Sequence, residues 1–473
     1  MEKIELKKLS EYEWEIPKSG NMKVPSVIFA SEKLIKKVEE DRTLEQLKNM
    51  ACLPGIYKRA IAMPDAHQGY GFCIGGVAAL DFEKGGISPG GVGYDINCGV
   101  RLMTTPLSEK ELRLRLNELM KSIFTNVPSG LGSHGKIKLS PSELKEVMET
   151  GINWCIKKGY ATEDDKNKTE EYGNLLPADA SFVSDLAKKR GAPELGSLGS
   201  GNHFLEIQRV DRIFDKETAE KWNLKEGMII VMIHSGSRGL GHQVCSDYLR
   251  RIEKENPDLV SRLPDRELVY APAGTKTADE YFKAMACSAN YAWCNRQLMM
   301  HWIRECFYKI FGKIEMPMIY DVCHNICKIE EYDGKKFFVH RKGATRAFGR
   351  GNPNLPKIYQ ETGQPVILPG SMGTASYILV GTKTAEEKTF GSTAHGAGRV
   401  MSREKAKRTY RAEQIKKELF ETKNIIVMSS SFGGITEEAP GVYKDIDEVA
   451  EVSDKIGIAK KVVRMVPIGV IKG

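Results

Sequence analysis

Short apolar runs, each stopped by glycine or a small polar residue, recur along the chain and predict buried strands. Gly75–Leu80 is one such run. Gly227–Ile233 is another, and it leads directly into His234-Ser235-Gly236-Ser237-Arg238-Gly239. Further short strands are expected at Met318–Cys323, Phe337–His340, Tyr377–Val380 and Ile425–Met428. Residues 105–190 change character: they are richer in Leu, Lys and Glu, and the Leu112–Leu119 stretch has helical spacing. A long helix is expected from near Thr277, where Thr277 and Glu280 fit a capping box, through Phe311. The pattern predicts an α/β or α+β fold: a large mixed sheet core, loops at strand ends, and a helical excursion over 105–190. Such loops on a rigid scaffold are where function concentrates.

Composition narrows the class. The 473 residues hold enough chain for a large core. No apolar run reaches the roughly 18 residues a membrane helix needs. The polar opening, Met1-Glu2-Lys3-Ile4-Glu5, lacks the features of a secretion signal, so a cytoplasmic location is expected. Ten cysteines are scattered with no CxxC pair, which fits buried thiols in a reducing compartment. A net charge of +8 agrees with a polyanionic partner without singling one out.

Chemistry concentrates in glycine-rich segments. In Gly90–Gly99, Asp95 and Cys98 lie three residues apart. A carboxylate and a thiolate that close can share a metal ion; the same segment also reads as a tight turn with a buried cysteine. The chain has nine histidines. Several of them, among His67, His203, His234, His324 and His395, sit beside glycine or a small polar residue near the end of an apolar run. Imidazole, carboxylate and thiolate together suit Mn, Zn or Fe. The spacing matches neither a zinc finger nor a HExxH helix, so any ligand set must converge from distant loops. No P-loop is present, but Pro369–Ser376 is a glycine and hydroxyl loop whose N–H groups suit phosphate or a base edge. His395, with Arg399 and Arg403 beyond it, suits attack on phosphorus with guanidinium support. Two basic segments, His340–Arg350 and Arg403–Lys417, are candidate contacts to a nucleic-acid backbone or plain solvated faces.

Several long motifs in this order resemble the RtcB family of RNA-splicing ligases over nearly the whole chain. They are MPDAHQGYGFCIGG, GGVGYDINCGVR, LGSGNHFLE, HSGSRGLGH, DVCHN, HRKGATRA, LPGSMGTASY, STAHGAGR and the terminal VIKG. The resemblance implies a single RtcB-like catalytic domain over 1–473. It implies an enzyme that joins RNA ending in a 2′,3′-cyclic phosphate or 3′-phosphate to a 5′-hydroxyl end, with GTP and two Mn²⁺ ions. Its role would be tRNA splicing, RNA repair or both. By resemblance His395 is the nucleophile that takes GMP. Asp95, Cys98, His203, His234 and His324 are the metal ligands, with Cys98 bridging.

The guanylate site would comprise Asn202, His203, Phe204, Leu205, Glu206, His324, Asn325, Pro369, Gly370, Ser371, Met372, Ser376, His395, Gly396, Ala397, Gly398 and Lys472. Tyr443 would pack on the nucleotide, and Glu206 would read the guanine edge. Arg238, Lys342 and Arg399 match positions associated with phosphate or RNA. The resemblance also implies an archease-type activator and a monomer. No catalytic role carries over to Asp65 or His67; support behind the ligands is the expectation for both. Cys323 and Cys327 are not expected to be ligands, because a strand neighbour of His324 points to the opposite face. Two rivals remain at the level of residues: a dinuclear metal-dependent phosphodiesterase or nuclease with the same ligands, and a non-catalytic RNA-binding protein with a structural metal.

Overall fold

Antiparallel registration of one sheet gathers the candidate residues at a single edge. The computed structural model describes residues 4–473. Its largest sheet runs in the spatial order Met318–Cys323, Gly99–Ser108, Met228–Ser235, Phe204–Ile213, Ala459–Lys472, Ser376–Gly381 and Pro365–Leu368. Ile426–Ser429 pairs in parallel with the C-terminal strand. Gly99 pairs with both Ser235 and Cys323, and Phe204 pairs with His234 and Lys472. Cys98 and His203 precede their strands, while His234 and His324 end or follow theirs. Opposite strand directions therefore bring all four to one rim.

A second sheet is ordered Lys7–Lys8, Glu13–Ile16, Ser26–Phe29, Ala60–His67, Ile74–Asp81, Lys335–Lys342 and Asn325–Tyr332. The chain passes from the first sheet to the second at His324. A short ladder of Ala344–Arg346 against Ser392–Ala394 delivers His395 to this junction.

The excursion begins at Glu109 and not at 105, because the strand runs on through Ser108, where a capping box between Ser108 and Glu111 starts the helix. Its helices Glu109–Asn126 and Pro141–Thr150 place Leu112, Leu116, Leu144 and Val147 in the same apolar core as Val77 and Ile233. The long helix spans Lys276–Phe311. Its cap is Thr275, which accepts the Ala278 N–H, and not Thr277 as the sequence pattern suggests. Thr277 instead donates to Glu255, and Glu280 pairs with Arg251 from the neighbouring helix. Long-range partners took both residues of the expected box.

Buried charge fixes the rim. Asp321 and Arg296 are fully buried and paired at 2.7 Å, and Arg101 Nε donates to the same carboxylate at 2.6 Å. Arg296 also donates to the backbone oxygens of Asn97 and Ser235, each at 2.8 Å. One guanidinium thus joins the Asp95–Cys98 turn, the end of the His234 strand, and the strand before His324. Asp321→Ala would leave two buried cations without their counter-charge. It is expected to destabilise the fold by about 3–5 kcal/mol, measured by denaturant unfolding. A loss under about 1 kcal/mol would contradict this reading of the network.

Candidate metal and nucleotide centre

Donor atoms from four loops face one another at the rim. Cys98 Sγ lies 3.2 Å from His234 Nε2 and 3.5 Å from His203 Nε2. His234 Nε2 is 3.1 Å from His324 Nε2, and His203 Nε2 is 2.8 Å from Asp95 Oδ2. These atoms form two groups with the spacing a metal ion requires: Cys98, His234 and His324, and Asp95, Cys98 and His203. Cys98 belongs to both. A close approach makes this possible, since a Cβ on Gly236 would stand 2.3 Å from Asp95 Oδ1.

Electrostatics support a cation here. Burial and neighbouring histidines push His234 and His324 well below the ordinary imidazole range, so both are neutral with lone pairs to offer. Burial also works to raise the Asp95 carboxyl, but His203 outweighs it and holds Asp95 at about 2. Burial, then Asp95, push the Cys98 thiol far up. The buried Nδ1 atoms of His203, His234 and His324 have no hydrogen-bond partner. A cluster of facing acceptors is costly unless a cation neutralises it. The mixed N, O and S donor set fits a divalent transition ion. Cys323 and Cys327 are buried and lie outside both groups.

His395 stands at the end of this row, its ring 4.9 Å from that of His324. Asp65, from the second sheet, is the residue the sequence undervalued. Its Oδ2 accepts the N–H groups of His395 at 3.0 Å and Gly396 at 3.2 Å. The same oxygen lies 2.5 Å from His395 Nδ1, outside good hydrogen-bond alignment. Gly398 allows the contact: it has φ of 72°, and a Cβ there would meet the Asp65 carbonyl at 2.1 Å. Asp65 thus fixes the His395–Gly396 backbone and lies against the Nδ1 side of the imidazole. His67 Nδ1 sits 3.1 Å from the Asp65 carbonyl.

These residues open onto a cavity of about 540 Å³. Its wall includes Asp95, Cys98, Asn202, His203, His234, Arg238, His324, Asn325, Pro369, Gly370, Arg399, Tyr443 and the His395–Gly398 loop. Arg238 adopts a left-handed φ of 55°, a strained geometry for a side-chain-bearing residue. Eight expected residues are not in the wall. Leu205 is in the apolar core and Met372 packs under the 412–442 segment. Ser371 bonds to Thr374. Glu206, Gln208 and Ser376 form a buried hydrogen-bonded chain that also holds the Gly370 N–H. Burial pushes Glu206 up to about 7, against the pull of Gln208 and Lys472.

The Lys472 ammonium lies 5.1 Å over the Phe204 ring and 3.8 Å from Glu438. Glu438, which nothing in the sequence marked, is fully buried and also engages Arg399 at 3.0 Å and the Tyr443 hydroxyl. Lys342 is the clearest departure. It is buried and donates to the carbonyls of Tyr70 and Gly90, so the structure does not present it to a phosphate in the cavity. Arg341 and Arg346 in the same basic segment are neutralised internally by Glu330 and Glu171.

Similarity to known proteins runs over nearly the whole chain. Residues 46–473 match the family model described as tRNA-splicing ligase RtcB. The chain is 52% identical to a protein of Thermococcus kodakarensis named tRNA-splicing ligase RtcB, covering 100% of both. It is 52% identical to one of that name from Methanococcus maripaludis, covering 98% and 99%. The figure is 50% for one from Archaeoglobus fulgidus, covering 99% of each. Among the described residues, no helix is long and apolar enough to cross a membrane.

Proposed function

Because the chain belongs to the RtcB family of tRNA-splicing ligases, we propose that it seals RNA through a histidine–GMP intermediate, with GTP and Mn²⁺. The observation that carries this reading is His395, set against Asp65 and sharing one cavity with the two donor groups that have Cys98 in common.

His395 Nε2 attacks the α-phosphorus of GTP. A P–N bond forms and pyrophosphate leaves, while Asp65 stabilises the charge gained by the ring. An oxygen of the RNA 3′-phosphate then attacks the bound GMP phosphorus, breaking the P–N bond. The 5′-hydroxyl attacks the activated 3′-phosphorus, and GMP leaves. A 2′,3′-cyclic phosphate is opened by water first. Divalent ions held by Asp95, Cys98, His203, His234 and His324 would neutralise phosphate charge. Arg238 and Arg399, in the cavity wall, fit contacts to phosphate; Asn202 and Tyr443, hydrogen-bonded at 3.1 Å, fit the nucleotide side. The proposed setting is a cytoplasmic monomer acting on tRNA halves or cleaved RNA, open to an archease-type activator.

Guanine choice falls to Glu206. The ionised carboxylate would accept both N–H donors of the guanine edge, and burial pushes Glu206 up to about 7. KM for GTP is therefore expected to rise as pH falls from 8 to 6. Glu206→Gln should raise KM roughly tenfold at pH 8 and flatten that profile. The check is labelled-GTP adduct formation at several pH values, with ATP as competitor. An unchanged profile in the variant would remove Glu206 from guanine recognition. Absence of any acid-labile GMP adduct on the native protein would favour the phosphodiesterase reading.

A further inference from the structure

The contacts along the rim form an ordered row. It runs from His395 through His324, His234, Cys98 and His203 to Asp95. Beyond Asp95 the row continues in a different chemistry. Tyr94 immediately precedes Asp95, and its ring stacks on His242 at 4.9 Å with an interplanar angle of 28°. Tyr70 meets Tyr94 edge-on at 5.5 Å and 65°. Tyr94 and His242 line the same cavity as the metal candidates. His242 is exposed, one helical turn after Arg238, and Arg190 lies in the same wall.

We propose that the open face of His242, backed by Tyr94 and Tyr70, is a stacking platform for a nucleobase of the RNA ends being joined. This rests on the RNA-ligase reading above. One face of Tyr94 is covered by His242, and Tyr70 meets the ring edge-on. The outermost ring of the ladder is thus the one left to a ligand. The platform lies at the opposite end of the row from His395, where GTP is proposed to react, so a base of the RNA and not the guanine of GTP is its proposed occupant. Arg190 and Arg238 supply positive charge for the adjoining phosphates. A flat aromatic face beside cations binds single strands with little sequence preference, as an enzyme joining varied ends requires.

A purely mechanical role is the competing account: the stack would only pin the Arg238–Glu255 helix to the Asp95 turn. The experiment measures binding, so it does not depend on sealing. Fluorescently labelled single-stranded RNAs, one with a 5′-hydroxyl end and one with a 3′-phosphate end, are titrated by anisotropy at fixed salt. The proteins are wild type, His242→Ala, His242→Phe and His242→Trp. His242→Ala should weaken binding of at least one RNA by about tenfold, with Phe restoring it and Trp matching or exceeding wild type. An abasic nucleotide at the stacked position should weaken wild-type binding equally and add nothing to His242→Ala. Unchanged affinity for both RNAs in His242→Ala overturns the platform. So does a Phe variant as weak as Ala, or an abasic loss that adds fully to the Ala loss. If wild type binds RNA with these responses but forms no GMP adduct, the ligation reading fails and the platform stands.

Discussion

His395→Ala is expected to eliminate the GMP adduct and to lower RNA sealing by on the order of 10⁴-fold or more. The residue is buried to 8% exposure, yet lines the cavity. Its Nδ1 is committed to the Asp65 side, so Nε2 is the atom left for attack. The three histidines of the ligand groups are placed differently: His203, His234 and His324 turn their Nε2 atoms toward one another, Cys98 or Asp95. Removing the imidazole ring of His395 leaves the two ligand groups intact, so Mn²⁺ stoichiometry should hold. Gel detection of labelled GMP, alongside metal analysis of the same sample, separates the two effects. An adduct of wild-type yield on the variant would end the nucleophile assignment.

Cys98→Ala is expected to be as damaging by a different route. Its sulfur is the one atom common to both groups of candidate ligands. Loss of His324 or Asp95 removes a donor from one group; loss of Cys98 removes a donor from both. Bound Mn²⁺ should therefore fall further in Cys98→Ala than in His324→Ala or Asp95→Ala. Adduct formation should drop by about 10³-fold or more, because the phosphate charge is no longer neutralised. Titration calorimetry with Mn²⁺ on the three variants is the comparison. Equal residual metal binding in all three would mean that the thiolate is not shared.

Much of this centre was legible in the chain because type and local setting coincide there. Asp95, Cys98, His203, His234, His324 and His395 lie in or beside segments rich in glycine and small polar residues, and strands expected at 227–233 and 318–323 end where the structure ends them or within two residues. What the chain hid was partnership across distance. Thr277 and Glu280 satisfy a capping pattern locally, but Glu255 and Arg251 engage them from another helix. Arg346 reads as a free cation beside Lys342, yet its counter-charge is Glu171, from the helical excursion. Lys342 is consumed by two backbone carbonyls that no motif announces. Asp65 was visible in its motif, but its grip on His395 spans 330 positions. Glu438 gave no signal because its role is defined only by Arg399, Tyr443 and Lys472 folding around it.

The central claim is that one cavity activates a 3′-phosphate with GMP and joins it to a 5′-hydroxyl. The most direct measurement incubates purified protein, GTP and Mn²⁺ with an RNA ending in a 2′,3′-cyclic phosphate and an RNA beginning with a 5′-hydroxyl. The account predicts a sealed product that requires GTP, with the former 3′-phosphate retained in the new linkage. A joined product formed equally well without GTP, or cleavage of the strands in place of joining, would contradict it.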